Sequence, residues 1–504
     1  MGKAEDPNRK RIFSRSPRPL REFDPDLFDR FLEGKVVSPQ AKRPALSTFS
    51  SAGIGDYGYR LAGFTFKVHA ELVPERLAVC KRNHPRSRLV EGDLRKTWRQ
   101  VVADYRSING QAIPSLLTGM SPCQGMSSST HHVREGLSGL PSEDPRNTLP
   151  FELANIAREL CPWSIVVENV PGIVTTRVKD PDSDETGTVA SLLAKKLAAY
   201  VCFPATVQFA DYGIPQRRQR TLLTFLRKDL PSVSSLQKAE KVPYPSKTHD
   251  RFGRFGRLPW VSAERFLGPP RFRPLTSYSE KRARDPVDSL HYVPFYERKR
   301  FTLVRSIPRW SGRSAYQSDR CPLCGAREIP SELAVCPRCE APLFCRPIVD
   351  TPDGPRLIKG HPTSYKRLSP DLPVGTITTA SGHLGSDVKI HPWENRLLSP
   401  RECATVQTIP RTFEFGPPKR KTHTWLLRQT IGEAIPPWFT FLHGIVLRNL
   451  LGAGGAIEHL LPADDYDIED LSVGSVVDRE SIRRSKKERY LARMKTQLYD
   501  EIPA

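Results

Sequence analysis

Between residue 44 and about residue 230 the chain alternates short apolar stretches, each ending in Gly, Asp or Glu, with stretches of helical pattern. ALSTFSSAGIGDYGYRLAGF gives way to FKVHAELVPERLAVCKRNH, and the rhythm repeats. Strands that feed helices and return must lie parallel in one sheet. Ligands of such sheets collect at the carboxyl ends of the strands. The pattern therefore predicts a doubly wound, Rossmann-like α/β domain. At 504 residues the chain has room for further domains with cores of their own.

Three motifs in this region carry chemistry. Pro122-Cys123-Gln124 offers a thiol, Glu168-Asn169-Val170 a carboxyl group, and Gln216-x-Arg218-x-Arg220 two guanidinium groups. Alone, each is ordinary. A Pro-Cys pair is usually a buried small residue or a turn, a lone carboxylate at a strand end is usually a cap, and QRRQR is usually a solvated basic patch. Here all three occur in one order. A glycine-rich turn precedes them and a Gly-x-x-x-Pro-Pro segment follows. Together they suit attack on carbon 6 of a cytosine ring. That ring is a poor electrophile until N3 is protonated or hydrogen-bonded, which asks for a carboxyl able to share a proton. A thiolate then adds and makes carbon 5 nucleophilic. Arginine can hold the exocyclic O2 and favour the thiolate.

At these residues the chain resembles the cytosine-5 DNA methyltransferase family. Thr48-Phe49-Ser50-Ser51-Ala52-Gly53-Ile54-Gly55, with Gly58 and Ala62-Gly63-Phe64, is similar to the family's cofactor loop. Ala70-Glu71-Leu72-Val73-Pro74 and Glu91-Gly92-Asp93-Leu94 are similar to the next two strand ends. TGMSPCQGMS (118–127), DPRN (144–147), VVENVPG (166–172) and ADYGIPQRRQR (210–220) follow in order. ENRLLSPRECATVQTIP (394–410) and QTIGEAIPP (429–437) resemble the last blocks. The likeness spans roughly residues 46–230 and 365–450. It implies methyl transfer from S-adenosylmethionine to carbon 5 of a flipped cytosine in a specific duplex DNA sequence. By resemblance, Cys123 is the nucleophile and Glu168 bonds N3 and the exocyclic amine. Arg218 and Arg220 hold the base and O2, without their roles being separated. Phe49, Gly53, Gly55, Glu71, Asp93, Leu94 and Pro122 are expected at the cofactor, with Glu71 on the ribose hydroxyls and Asp93 on the adenine amine. Gln124 is expected to fill the vacated space or orient the backbone. Two departures stand out: Ser121 where the family usually has Pro, and Glu433 where it usually has Asn.

The middle of the chain differs. Residues 241–370 hold 25 Lys and Arg against 12 Asp and Glu, so +13 of the chain's +22 lies there. Arg251, Arg254, Arg257, Arg271, Arg273, Lys281, Arg282 and Arg284 interleave with Phe252, Phe255, Trp260, Phe266 and Phe272. Such interleaving suits phosphate contacts with aromatic packing or stacking, and a large positive balance suits a polyanion. The family places its target recognition domain here. Within it, Cys321, Cys324, Cys336 and Cys339 form two Cys-x-x-Cys knuckles eleven residues apart, a compact structural Zn²⁺ site. Two redox pairs are the alternative, and Cys345 is a spare thiol.

The expected division is a basic flexible arm at 1–44, with a short helix in DPDLFDRFLEG, and a catalytic domain at 45–234. A recognition domain at 235–365, a return to the catalytic domain at 366–455 and a charged tail at 456–504 follow, with a helix at 479–501. Ser399-Pro400-Arg401-Glu402 predicts a capped helix start. Six cysteines outside the knuckles point to a reducing compartment. No apolar run approaches the ~20 residues of a membrane span, and the N-terminus lacks a secretory core. A cytoplasmic protein is expected, bacterial and at the nucleoid, serving restriction-modification or anti-phage defence with partner proteins of that system. The rivals are an RNA cytosine-5 methyltransferase of the same fold and a catalytically silent DNA-binding protein.

Overall fold

The computed structural model describes residues 24–40, 42–123, 125–126, 144–254, 256–275, 283–293, 297–358, 363–386, 388–416, 421–452 and 460, with the backbone alone at 421–424. The expectations for residues 1–23, Gln124, Phe255, Lys281, Arg282 and the helix at 479–501 lie outside the described residues.

The predicted alternation folds as one seven-stranded sheet. Its strands are β1 (Arg43–Thr48), β2 (Phe64–Glu71), β3 (Arg88–Glu91), β4 (Leu116–Gly119), β5 (Ser164–Asn169), β6 (Tyr200–Gln208) and β7 (Gln219–Arg227). They lie in the order β3-β2-β1-β4-β5-β7-β6. The first five are parallel. β7 enters antiparallel between β5 and β6. β5 (SIVVEN) is buried along its whole length, as expected for a strand covered on both faces.

Neighbouring residues on each strand feed two different cores. Ala45, Leu116, Val166 and Leu222 join one; Leu46, Leu117, Ile165 and Leu223 join the other. This follows from the period of two along a strand. It explains why the strands read as continuous apolar runs rather than alternating ones.

Crossover helices α2 (Ile54–Leu61), α3 (Pro74–Asn83) and α4 (Leu94–Asn109) follow β1, β2 and β3. Further along come α5 (Glu152–Leu160) before β5 and α6 (Val189–Lys196) before β6. The chain's return supplies α7 (Pro400–Val406), α8 (Lys421–Glu433) and α9 (Pro437–Leu450). α7 starts as its sequence predicts. Ser399 and Glu402 form a reciprocal capping box with Pro400 in the first turn. Glu402 also takes two hydrogen bonds from buried Arg396, at 2.6 and 2.7 Å.

α9 lies against α2. A Cβ on Gly58 would sit 2.1 Å from the Pro437 carbonyl oxygen, so only glycine allows this approach. The Thr440 hydroxyl donates to the Gly55 carbonyl at 2.7 Å. Residues from beyond 430 thus brace the turn that opens the domain.

α1 (Pro25–Leu32) forms where a short helix was expected inside the arm, capped by Asp24. It is not a loose segment. Phe28, Phe31 and Leu32 are buried in the larger core, with Phe28 and Phe31 edge-on to Trp438 at 5.1 and 5.3 Å. Packing also crosses the expected boundaries at 235 and 365. Phe266 and Phe272 belong to the large core, while Leu384, Ile390 and Leu397 join Leu303, Val304 and Ile307 in a separate small one. A fourth cluster surrounds the knuckle cysteines. Among the described residues no helix is long and apolar enough to cross a membrane.

The α1 contact makes a testable claim. Phe31→Ala should lower stability by about 3–5 kcal/mol, the usual cost of emptying a fully buried aromatic site. Urea unfolding of the full chain measures it. A loss below about 1 kcal/mol would place α1 outside the cooperative core.

Candidate active site

The carboxyl ends of β1, β2, β4 and β5 and the start of β7 converge on one region. Two half-sites meet there.

The first is the turn after β1. Phe49 (φ 50°) and Ser51 (φ 47°) both adopt left-handed backbone, as does Gly53 (φ 70°). For the two non-glycine residues this conformation costs on the order of 1–2 kcal/mol each, and it persists because the surroundings hold it. Ser50 N–H donates to Ala70 O at 3.0 Å and Gly53 N–H to Ser50 O at 2.8 Å. The Ser51 amide donates to the Glu71 carboxylate at 2.9 Å. Gly55 has no room for a side chain, since a Cβ would lie 2.4 Å from Ile435 and 2.5 Å from Met120.

Glu71, at the end of β2, is buried. It accepts from Ser51 and, at 3.1 Å, from the Val73 amide. Leu72 beside it is 63% exposed, an apolar side chain held out at the strand ends. Asp93 caps α4 and accepts from the Arg95 amide and guanidinium. Arg95 holds the Asp93 carboxyl below the usual range. Leu94 is buried in the core below.

Arg76 was not legible as a site residue. It reaches Glu71 at 3.5 Å and Glu433 at 2.8 Å, while Glu433 also approaches the Ser51 hydroxyl at 3.5 Å. The Glu433 departure thus forms an ion pair with Arg76 beside the turn after β1. Burial raises the Glu433 carboxyl and Arg76 opposes that rise. Only the tertiary meeting of residues 76 and 433 reveals the pair.

The second half-site surrounds the thiol. β4 ends at Gly119, and the chain runs through Ser121 and Pro122 to Cys123. The Ser121 departure has a partner, because Asn169 donates to both its carbonyl at 3.2 Å and its hydroxyl at 3.1 Å. The loop is wedged from two sides. A Cβ on Gly125 would meet Asn147 at 2.2 Å, and one on Gly172 would meet the Met126 carbonyl at 2.2 Å.

The β5–β7 register pairs Leu222 with Glu168, which brings Arg220 alongside. Arg220 Nε lies 3.0 Å from Glu168 Oε1, both largely buried. Arg218 is oriented otherwise. It is fully buried and donates to the backbone carbonyls of Ile377 (3.0 Å) and Glu433 (3.4 Å). Burial, then the nearby Arg220, lowers its pKa to about 9. Burial raises the Glu168 carboxyl toward its neutral form, opposed by Arg220 and Arg218. The partly exposed Cys123 thiol is also raised by burial. Arg220 pulls it down and Glu168 pushes it up.

In the middle segment the four knuckle sulfurs come together. Cys321 and Cys339 are 3.8 Å apart, and Cys324 and Cys336 are 3.7 Å apart. Four thiolates at about 2.3 Å from one Zn²⁺ would have edges of roughly 3.8 Å, so the cluster fits the metal. Cys345 stands aside, its thiol donating to Arg320 O at 3.5 Å. Fully buried Arg346 ties the module together by donating to the carbonyls of Ser318, Ile329, Pro330 and Leu333.

The sheet order, with its antiparallel β7, and the site at the strand ends define a Rossmann-like methyltransferase. The sequence profile described as C-5 cytosine-specific DNA methylase matches residues 45–441. The chain belongs to that family, and its activity is methyl transfer to carbon 5 of cytosine in DNA. The family's methyl donor is S-adenosylmethionine. The chain is similar to the Type II methyltransferase M1.HgaI of Avibacterium volantium, with 25% identity over 414 residues, 78% of this chain and 94% of the relative. It is similar to the Type II methyltransferase M.AquIA of a Picosynechococcus strain, with 31% identity over 187 residues, 36% of this chain and 71% of the relative. A solved structure described as a DNA modification methyltransferase encoded within an E. coli prophage shares the fold, with a TM-score of 0.50 and 18% identity. The match covers 81% of this chain and 99% of that one.

The raised thiol predicts slow reaction at neutral pH in the free enzyme. Iodoacetamide labelling of Cys123, followed on its own peptide by mass spectrometry, should rise with pH through a midpoint above an ordinary thiol's ~8.5. Arg220→Gln should move the midpoint up and Glu168→Gln should move it down. A wild-type midpoint below that of an ordinary thiol would overturn the electrostatic description.

Proposed function

We propose that Cys123 is the nucleophile, Glu168 the proton-sharing carboxyl and Arg220 the group that orients both Glu168 and the cytosine O2. The observation that carries this reading is the buried Glu168–Arg220 pair beside the Cys123 thiol. A stacked cytosine is out of reach, so the base must be flipped from the duplex into the pocket. The Cys123 thiolate then adds to carbon 6 while Glu168 gives a proton to N3. The electron pair moves to carbon 5, which gains enamine character. After carbon 5 is methylated, loss of its proton, expulsion of the thiolate and return of the N3 proton to Glu168 restore the ring and the carboxyl group. Arg218 is a positioning residue, because its two terminal nitrogens donate to the carbonyls of Ile377 and Glu433.

The residues at the strand ends fit S-adenosylmethionine, which supplies an electrophilic methyl group when bound. The left-handed turn at Phe49–Gly53 turns its backbone to the methionine end, and the buried Glu71 carboxylate suits ribose hydroxyls. Exposed Leu72 offers an apolar face to the adenine. Asp93 acts at the adenine amine only if it shares its carboxylate with Arg95. Pro122 lines the cofactor side of the thiol loop, and Leu94 supports it from the core.

The basic, aromatic middle segment recognises a specific duplex sequence, folded in part by zinc on Cys321, Cys324, Cys336 and Cys339. The Type II relatives support a modification role beside a restriction or defence partner, acting on host DNA in the cytoplasm.

Duplex DNA carrying 5-fluorocytosine at the target tests the chemistry. With S-adenosylmethionine present, methylated carbon 5 carries fluorine where the proton would be lost, so the wild type should form a covalent adduct stable to denaturation. Cys123→Ser should bind the same DNA but form none, since a serine hydroxyl is a far poorer nucleophile. An adduct that persists in the serine variant would overturn the assignment.

Zinc removal should act on DNA binding before cofactor binding. A Cys336→Ser/Cys339→Ser chain should bind one zinc fewer than wild type and lose specific DNA affinity, with cofactor titrations little changed. Normal DNA binding by that chain would show that the metal is dispensable for recognition.

A further inference from the structure

Behind the cofactor turn lies a second cluster of metal-binding side chains. His69 is on β2, Cys80 and His84 come from α3 and its C-cap, and Asp56 is on α2; all four are buried. The ligand atoms of His69, Cys80 and His84 lie within 4.8 Å of one another.

The hydrogen bonds fix one ring. His84 Nε2 is 2.9 Å from the Gly53 carbonyl oxygen. A carbonyl can only accept, so Nε2 carries the hydrogen and Nδ1 of the neutral ring carries a lone pair. That Nδ1 is buried and has no hydrogen-bonding partner among the described residues. His69 Nδ1 contacts the Ser87 hydroxyl at 2.7 Å, and its buried Nε2 has no hydrogen-bonding partner among the described residues. Asp56 Oδ1 accepts from Thr118, while Oδ2 is left 3.5 Å from His69 Nε2, too far for a good hydrogen bond. A proton between Asp56 and His69 would relieve that pair alone. It would leave the His84 lone pair facing nothing, at the cost of an unpaired buried polar group.

A divalent ion answers the two imidazole lone pairs and the thiol, with the Asp56 carboxylate outside their cluster and 3.5 Å from His69. Two imidazoles and a thiol form a set typical of zinc and unsuited to Mg²⁺ or Ca²⁺. Each histidine also turns its other ring nitrogen to an oxygen partner, as ligating histidines do. We propose that His69, Cys80 and His84 bind a second zinc ion. This ion ties β2 and α3 together beneath the cofactor turn, and His84 Nε2–H carries its hold to Gly53. The proposal does not depend on the roles given to Cys123 and Glu168.

The test is metal stoichiometry on the full chain, purified from zinc-supplemented medium without a metal-affinity step. Wild type, Cys336→Ser/Cys339→Ser and Cys80→Ala are compared by plasma mass spectrometry. The expected counts are two zinc ions per wild-type chain and one in each variant. One ion retained by the knuckle variant supports the site whatever the knuckle holds. Cobalt(II) added to that variant should give visible d–d bands with the weak charge-transfer absorption of a single thiolate. A folded knuckle variant that holds no zinc and takes up no cobalt overturns the proposal. If the Cys80→Ala chain fails to fold, cobalt titration of metal-free wild type decides. A second equivalent with a mixed nitrogen–sulfur spectrum supports the site, and saturation at one all-sulfur equivalent rejects it.

Discussion

The Glu168–Arg220 ion pair at 3.0 Å is the contact on which the site depends. A carboxyl buried at a strand end is driven toward its neutral form by the loss of water, and a guanidinium beside it opposes that drive. On the proposed mechanism, the balance leaves a group able both to accept and to give a proton at N3. It requires β7 to run antiparallel against β5, because only that direction brings the start of β7 to the end of β5. A parallel strand in the same place would carry Arg220 to the far edge of the sheet. The reversed strand is therefore a condition of the chemistry.

The same pair explains why the chain leaves the domain and comes back. Arg218 needs acceptors for a fully buried guanidinium, and it finds them on the carbonyls of Ile377 and Glu433, both in the return segment. Gln216 accepts from the Ile377 amide and donates to Gln407, which in turn donates to Ile431 O. Glu433 then reaches Arg76 beside the turn after β1, and Thr440 bonds Gly55. The thiol half and the turn after β1 are locked to one another by return-segment residues 159 to 385 positions away along the chain. A segment inserted between residue 235 and the return thus stays coupled to both halves through the backbone that flanks it.

Much was legible in the sequence because it is local. Strand ends, the glycine turn, the Ser399–Glu402 capping box and the spacing of the knuckle cysteines each depend on residues a few positions apart, whose backbone geometry admits few alternatives. Cys123, Glu168 and Arg220 are proposed from the sequence for the same reason: each sits in a short motif, Cys123 and Glu168 at the carboxyl ends of β4 and β5 and Arg220 at the start of β7.

What the sequence left open is set by contacts across long separations. It grouped Arg218 with Arg220, two positions apart on adjoining backbone, and only burial against Ile377 and Glu433 divides the anchor from the group that faces Glu168. It placed Phe28, Phe31 and Leu32 in a flexible arm, since nothing nearby shows that Trp438 and Phe441 wait to cover them. It treated Glu433 as a departure of unknown effect, because its partner Arg76 lies on another helix. The identities of the chemical groups follow from the order of residues along the chain. Which of them meet, and with what charge, follows from how the folded chain excludes water around them.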